Sequence, residues 1–147
     1  MNTPDDTKPI YTQLLQLMFR NKHRMIHIAE KYDLTMMQST ALLMLGDGNP
    51  KAMRTLSDYF MCDASTVTGL IDRLEARNLV TRQNHPTDRR VKLLTLSDEG
   101  IRIRDAIRAE NEIAETERFN KILSEAERVQ LKKLVNKLLE ESELSDA

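Results

Sequence analysis

Apolar residues along the chain recur with helical periods almost throughout. Over residues 9–32, Ile10, Leu14, Leu17, Met18, Met25, Ile28 and Ala29 return at spacings of three, four and seven, which predicts one long amphipathic helix. Thr35 and Gln38 then form a T-x-x-Q capping box that opens a second helix over 36–45. Met37, Ala41, Leu42, Met44 and Leu45 make that helix almost wholly apolar, so it belongs in a core. Gly and Pro between 46 and 50 supply a turn. A third helix over 52–60 places Met53, Leu56 and Phe60 on one face. Asp63 caps a fourth helix whose inward set is Val67, Leu70, Ile71 and Leu74, and Asn78 tolerates the left-handed turn that closes it. The period then shortens. Two strands are predicted, over 79–83 and 91–96, around a polar loop at 84–90. Ser97 caps a helix over 98–120 with sparse apolar positions, and Ser124 with Glu127 forms a second capping box for a last helix reaching about 141.

Two short helices joined by a tight turn form a helix-turn-helix, the first crossing a DNA backbone and the second entering the major groove. The hairpin at 79–96 is then a wing. The expected fold class is mostly α (α+β), with a winged helix-turn-helix DNA-binding region at 35–100. The helices at 1–34 and 118–147 are expected to form a dimerisation region, with a long connecting helix at 97–120 and one domain overall. Residues 1–8 are polar and predict no element. The long terminal helices carry apolar stripes with no further sheet to cover them. A twofold dimer covers them, and an intramolecular bundle is the alternative.

Composition sharpens this picture in a few places. The 147 residues, 40% of them hydrophobic, suffice for a real core. Only six aromatics, with no Trp, argue against a stacking platform for single strands. The single cysteine, Cys62, excludes an internal disulfide and fits a reducing cytoplasm. No apolar run approaches the roughly 18 residues of a membrane span, and the polar, acidic start does not read as a signal peptide. Net charge is −1, but its distribution is uneven. Residues 51–96 carry eight basic and five acidic side chains, residues 1–50 five of each, and residues 97–147 nine and thirteen. The one positive third contains the helix-turn-helix and wing, as phosphate binding requires.

The outward face of the fourth helix offers Ser65, Thr66, Thr68, Gly69 and Arg73. Hydroxyls can donate to phosphates or base edges, and a Thr methyl can touch a thymine methyl. Gly69 in mid-helix suggests a close approach to the DNA backbone. The face lacks a run of Arg, Asn or Gln, so phosphate and shape readout should outweigh bidentate base contacts. At the wing tip, Arg89 and Arg90 can enter a narrow minor groove, while Asp88 holds a neighbouring arginine such as Arg90 or Arg73. Lys51, Arg54, Arg77, Arg82 and Lys92 are further candidate phosphate contacts.

The runs DASTVTGLIDRLEARNLVTR and HPTDRRVKLLTLSDEG resemble the MarR family of bacterial transcriptional regulators. The patterns STV-x-x-LIDRLE-x-x-x-LV and DRR-x-K-x-LTLS, in this order, carry the likeness, and the long end helices agree with it. The resemblance implies an obligate homodimer on a palindromic operator in double-stranded DNA, usually repression, and often release by a small ligand. It points to Ser65, Thr66, Thr68 and Arg73 on the recognition helix and to Asp88, Arg89 and Arg90 on the wing. Some members carry a basic or larger polar residue where Gly69 stands, so base preference does not transfer there.

An enzyme lacks its parts here: there is no glycine-rich phosphate loop, nucleophile elbow or H-E-x-x-H. No cofactor or metal is expected. His23 and His27 share a helix face but lack a third ligand. With Met44 they are the candidate lining of a pocket, since family members bind aromatic or phenolic ligands between the dimer and DNA-binding regions. Cys62 reads as a small core hydrophobe rather than an oxidation sensor. A winged-helix module that binds protein instead of DNA is the alternative function, and the paired wing arginines argue against it.

Overall fold

The computed structural model describes the backbone of residues 8–145 and the side chains of residues 8–140. The expected unstructured start at 1–8 lies, but for Lys8, outside the described residues. The elements run α1 (Ile10–Glu30), α2 (Met36–Met44), a 3₁₀ turn (Leu45–Asp47), β1 (Lys51–Ala52), α3 (Met53–Phe60), α4 (Ala64–Ala76), β2 (Val80–Asn84), β3 (Lys92–Leu96), α5 (Asp98–Ile122) and α6 (Glu125–Ser145). The chain divides into two compact units, one up to Ala109 and one from Glu110 onward, so the boundary falls inside α5.

Three helices of the first unit end alike. Asp33, Met61 and Asn78 take left-handed φ angles of 54°, 50° and 55°. In each case the following amide reaches back five residues: Leu34 N to Ala29 O at 3.1 Å, Cys62 N to Ser57 O at 3.2 Å, and Leu79 N to Leu74 O at 2.9 Å. This closure satisfies helix-end carbonyls and turns the chain sharply. It also shortens α1 relative to its apolar pattern, because Asp33 diverts the backbone. The starts are capped by side chains. Gln38 N donates to Thr35 Oγ1 at 3.2 Å while Thr35 N donates to Gln38 Oε1 at 2.8 Å. Gly100 N donates to Ser97 Oγ at 3.0 Å at the head of α5.

The sheet has the order β1-β3-β2, all antiparallel. β2 and β3 form the expected hairpin, with Val80 opposite Leu96 and Asn84 opposite Lys92. β1 was not expected: Lys51 and Ala52 pair with Leu94 and Leu93. The core lies between this sheet and the helices. Leu42, Leu56, Val67, Ile71, Leu74, Leu79, Leu94 and Ile107 are fully buried, and Cys62 packs against them partly buried. All four inward residues of α4 are among the buried set. Burying a leucine or isoleucine contributes about 1.5–3 kcal/mol, so this cluster fixes α4 against the sheet.

In the second unit, the end of α5 meets α6 at a capping box. Ser124 N donates to Glu127 Oε2 at 2.8 Å and Glu127 N to Ser124 Oγ at 3.4 Å. No described residue of this unit is buried, and Val129, Leu131, Leu134, Val135, Leu138 and Leu139 are all exposed.

Candidate DNA-binding surface

The surface is built on α4. At its start the Asp63 carboxylate accepts Thr66 N at 2.7 Å and Ser65 Oγ at 2.9 Å. The Thr66 amide, helped by the Thr66 and Ser65 side chains, holds this carboxyl below its ordinary value. Because Val67, Leu70, Ile71 and Leu74 face the core, Ser65, Thr66, Thr68 and Arg73 are turned to solvent and Gly69 is half-buried between them. The hydroxyls are not equally available. Ser65 donates to Asp63, and Thr68 Oγ1 donates to Ala64 O at 2.8 Å. Their donor hydrogens are engaged by the cap and the first turn of the helix, which leaves the oxygens free to accept. Arg73 makes no ion pair among the described residues. A Cβ built on Gly69 would meet nothing within 4 Å.

Sequence reasoning missed a neighbour of this face. Lys22 of α1 and Thr35 at the head of α2 share a groove of about 880 Å³ with Ser65, Thr66, Gly69 and Arg73. Nothing in the spacing of α1 marks Lys22, since only the fold brings it to one groove with residues of α4.

The hairpin tip carries Asp88, Arg89 and Arg90, all exposed. Asp88 Oδ1 accepts Arg90 N at 3.0 Å and lies 3.9 Å from Arg90 Nε, so Asp88 organises the loop beneath Arg90 and does not reach Arg73. The Arg90 side chain is 96% exposed. His85, which the sequence did not single out, is half-buried beneath this loop.

Among the secondary basic candidates the structure separates two kinds. Arg54 is 89% exposed and only loosely paired with Asp58, at 3.8 Å. Lys51 pairs with Asp47 at 2.6 Å, and Lys92 donates to Asn84. Arg77, though exposed, and Arg82, half-buried, are both engaged within the protein. Arg77 donates to Asp33 O at 2.6 Å and Tyr32 O at 3.0 Å, gripping the end of α1. Arg82 donates to Asp72 and lies 3.5 Å from Glu75, which ties the base of the wing to α4. The recognition helix and the wing are therefore held as one body.

His23 and His27 are exposed on α1, and neither they nor Met44 lines the apolar groove in this unit. That groove, about 390 Å³, is lined instead by Met18, Phe19, Met25, Met36, Met37, Tyr59 and Phe60 among others. The two histidines occupy a different face of α1. Among the described residues, no helix is long and apolar enough to cross a membrane.

The fold has counterparts among known proteins. The MarR family model matches residues 34–92. The HTH-type transcriptional repressor NicR of Pseudomonas putida is 30% identical over 145 residues, which cover 97% of this chain and 90% of that protein. The crystal structure of MarR superposes with a TM-score of 0.78 at 25% identity, over 96% of this chain and 95% of that one. A Staphylococcus aureus MepR–DNA complex has the same fold, with a TM-score of 0.72 at 24% identity over 91% of this chain and 99% of that one.

Proposed function

The chain belongs to the MarR family of DNA-binding transcriptional regulators, which are not enzymes, and from that premise we propose that it is a cytoplasmic homodimeric repressor of a palindromic operator, released by a small ligand. The observation that carries this reading is the unit formed by α4 and the wing, which Arg82 links through Asp72 and Glu75. It presents Ser65, Thr66, Thr68, Gly69 and Arg73 on one element and Arg89 and Arg90 on the other. A helix of this length fits the major groove, and a guanidinium at a hairpin tip fits a narrow minor groove.

Support for the dimer comes from apolar residues left in solvent. Ile10, Tyr11, Leu14, Leu17, Met18 and Phe19 of α1 are exposed, as are the six apolar residues of α6 named above. Apolar faces of this extent mark an interface. In this reading residues 1–34 and 118–147 dimerise, 97–120 connect, and 35–100 read DNA. NicR is named a repressor, which supports that direction of control. The methionine- and aromatic-lined groove has the size and apolar character of a site for an aromatic or phenolic ligand.

The test is binding to duplexes selected in vitro from a random pool, followed by fluorescence anisotropy. Arg90→Ala should weaken binding about tenfold or more, since a lost groove contact costs about 1–3 kcal/mol. Gel filtration should show the variant still dimeric. Wild-type affinity should fall steeply with salt. A flat salt titration, or unchanged affinity in Arg90→Ala, would overturn the assignment of the wing.

A further inference from the structure

The loop between β2 and β3 holds its shape through one imidazole. His85 N donates to Val91 O at 3.0 Å, extending the hairpin by one step. The His85 ring then folds over the turn. Its Nδ1 lies 3.3 Å from Thr87 N, 3.2 Å from Asp88 N and 3.2 Å from Thr87 Oγ1. Backbone amides only donate, so Nδ1 must present its lone pair and the ring proton must sit on Nε2. The ring thus does what an Asp or Asn oxygen does in an Asx turn. The contacts continue to the tip: Val91 N donates to Asp88 O at 3.0 Å, and Arg90 N donates to Asp88 Oδ1 at 3.0 Å.

We propose that His85 is a positioning residue for the wing arginines, and that its neutral form is the DNA-binding form. A proton on Nδ1 would face an N–H toward two amide donors and leave them without an acceptor. Imidazole is the side chain that ordinarily changes charge between about pH 5 and pH 8. The other charged groups of the hairpin are Asp88, which engages Arg90, together with Arg89, Lys92 and Arg82, the last paired with Asp72 and Glu75 of α4. The proposal has a sign that charge alone does not share. An added positive charge beside phosphate would strengthen binding as pH falls, whereas a released turn weakens it.

The inference rests on the wing's contact with DNA, and Arg90→Ala tests that contact separately. The experiment uses the full chain, a selected duplex and constant ionic strength from pH 8 to pH 5.5. Wild-type affinity should drop about tenfold, the loss of roughly one hydrogen bond in each of two wings. His85→Asn keeps an acceptor that does not titrate, so it should bind like wild type at pH 8 and stay flat. His85→Ala should bind weakly at both ends. In the free protein, the Thr87 and Asp88 amide resonances should move with pH in step with the His85 ring. Affinity that rises on acidification, a slope that survives in His85→Asn, or static amide resonances would overturn the proposal.

Discussion

Gly69→Ala separates stability from recognition, because the two should change in opposite directions. Gly69 sits in the interior of α4, where a glycine costs about 0.8–1.0 kcal/mol relative to alanine. Its φ is not in the left-handed region, and a Cβ there would meet nothing within 4 Å. No clash offsets the gain in helix propensity, so the variant should be more stable by about 1 kcal/mol per subunit. For a chain of this size that raises Tm by about 3–4 °C. Urea unfolding followed by circular dichroism, at one fixed protein concentration, reads the change while holding subunit association constant. The same methyl projects from the row formed by Ser65, Thr66, Gly69 and Arg73, where the DNA backbone is expected. Binding to a selected duplex should therefore weaken, by about tenfold if the overlap costs about 1.4 kcal/mol. Loss of affinity cannot then be blamed on unfolding. A variant no more stable than wild type would refute the stereochemical reasoning. A stabilised variant with unchanged affinity would refute the placement of Gly69 against DNA.

Gly100→Ala should do the reverse. Its Cβ would overlap the Leu79 carbonyl, lying 2.9 Å from the carbonyl carbon, and backbone cannot swing aside. Overpacking of about 1–3 kcal/mol or more exceeds the roughly 1 kcal/mol of helix propensity gained, so the urea midpoint should fall; an unchanged or higher midpoint would count against the close approach of α5 to the Leu79 backbone. Arg77→Lys should lose about 1 kcal/mol in the same assay, because a lysine lacks the fork that reaches both Tyr32 O and Asp33 O. A variant as stable as wild type would show that the two carbonyl contacts are not needed.

What could be read from the sequence was what local chemistry decides. The caps at Thr35, Asp63, Ser97 and Ser124 depend on residues three positions away, and all four are present. The inward face of α4 follows from its period. Asn78 carries a recognisable preference for its left-handed turn, whereas Asp33 and Met61 adopt the same turn with little or no such signal. β1 was invisible because two residues have no period, and their partners Leu93 and Leu94 lie some forty positions on. The site was legible to the same degree. Which residues face outward on α4 was readable, but which hydroxyls are already engaged was not. Arginines at 73, 77, 82 and 90 look alike in sequence. Only folding gives Arg77 the carbonyls at the end of α1, and Arg82 the Asp72 and Glu75 carboxylates. His85 preceded a proline with no motif to mark it, and its acceptor role exists only once the hairpin closes.

These contacts change where control of DNA binding should enter. α4 is fixed by Asp63 at its start, by Arg82 along its length and by Arg77 at its end. The last of these reaches α1, the helix whose N-terminal half carries the exposed apolar face from Ile10 to Phe19. A dimer built on that face would therefore orient α4 through the end of the same helix. A ligand in the groove between α1, α2 and α3 would press on Met25, Met36 and Met37 without touching the outward residues of α4. If α1 tilts, Arg77 and the buried row Ile28, Ala29 and Leu34, which shares one core with the inward residues of α4, are the contacts through which α4 would follow. Cutting the Arg77 link while leaving that core in place should weaken this coupling, since Arg77 bonds the Tyr32 and Asp33 carbonyls just beyond the end of α1.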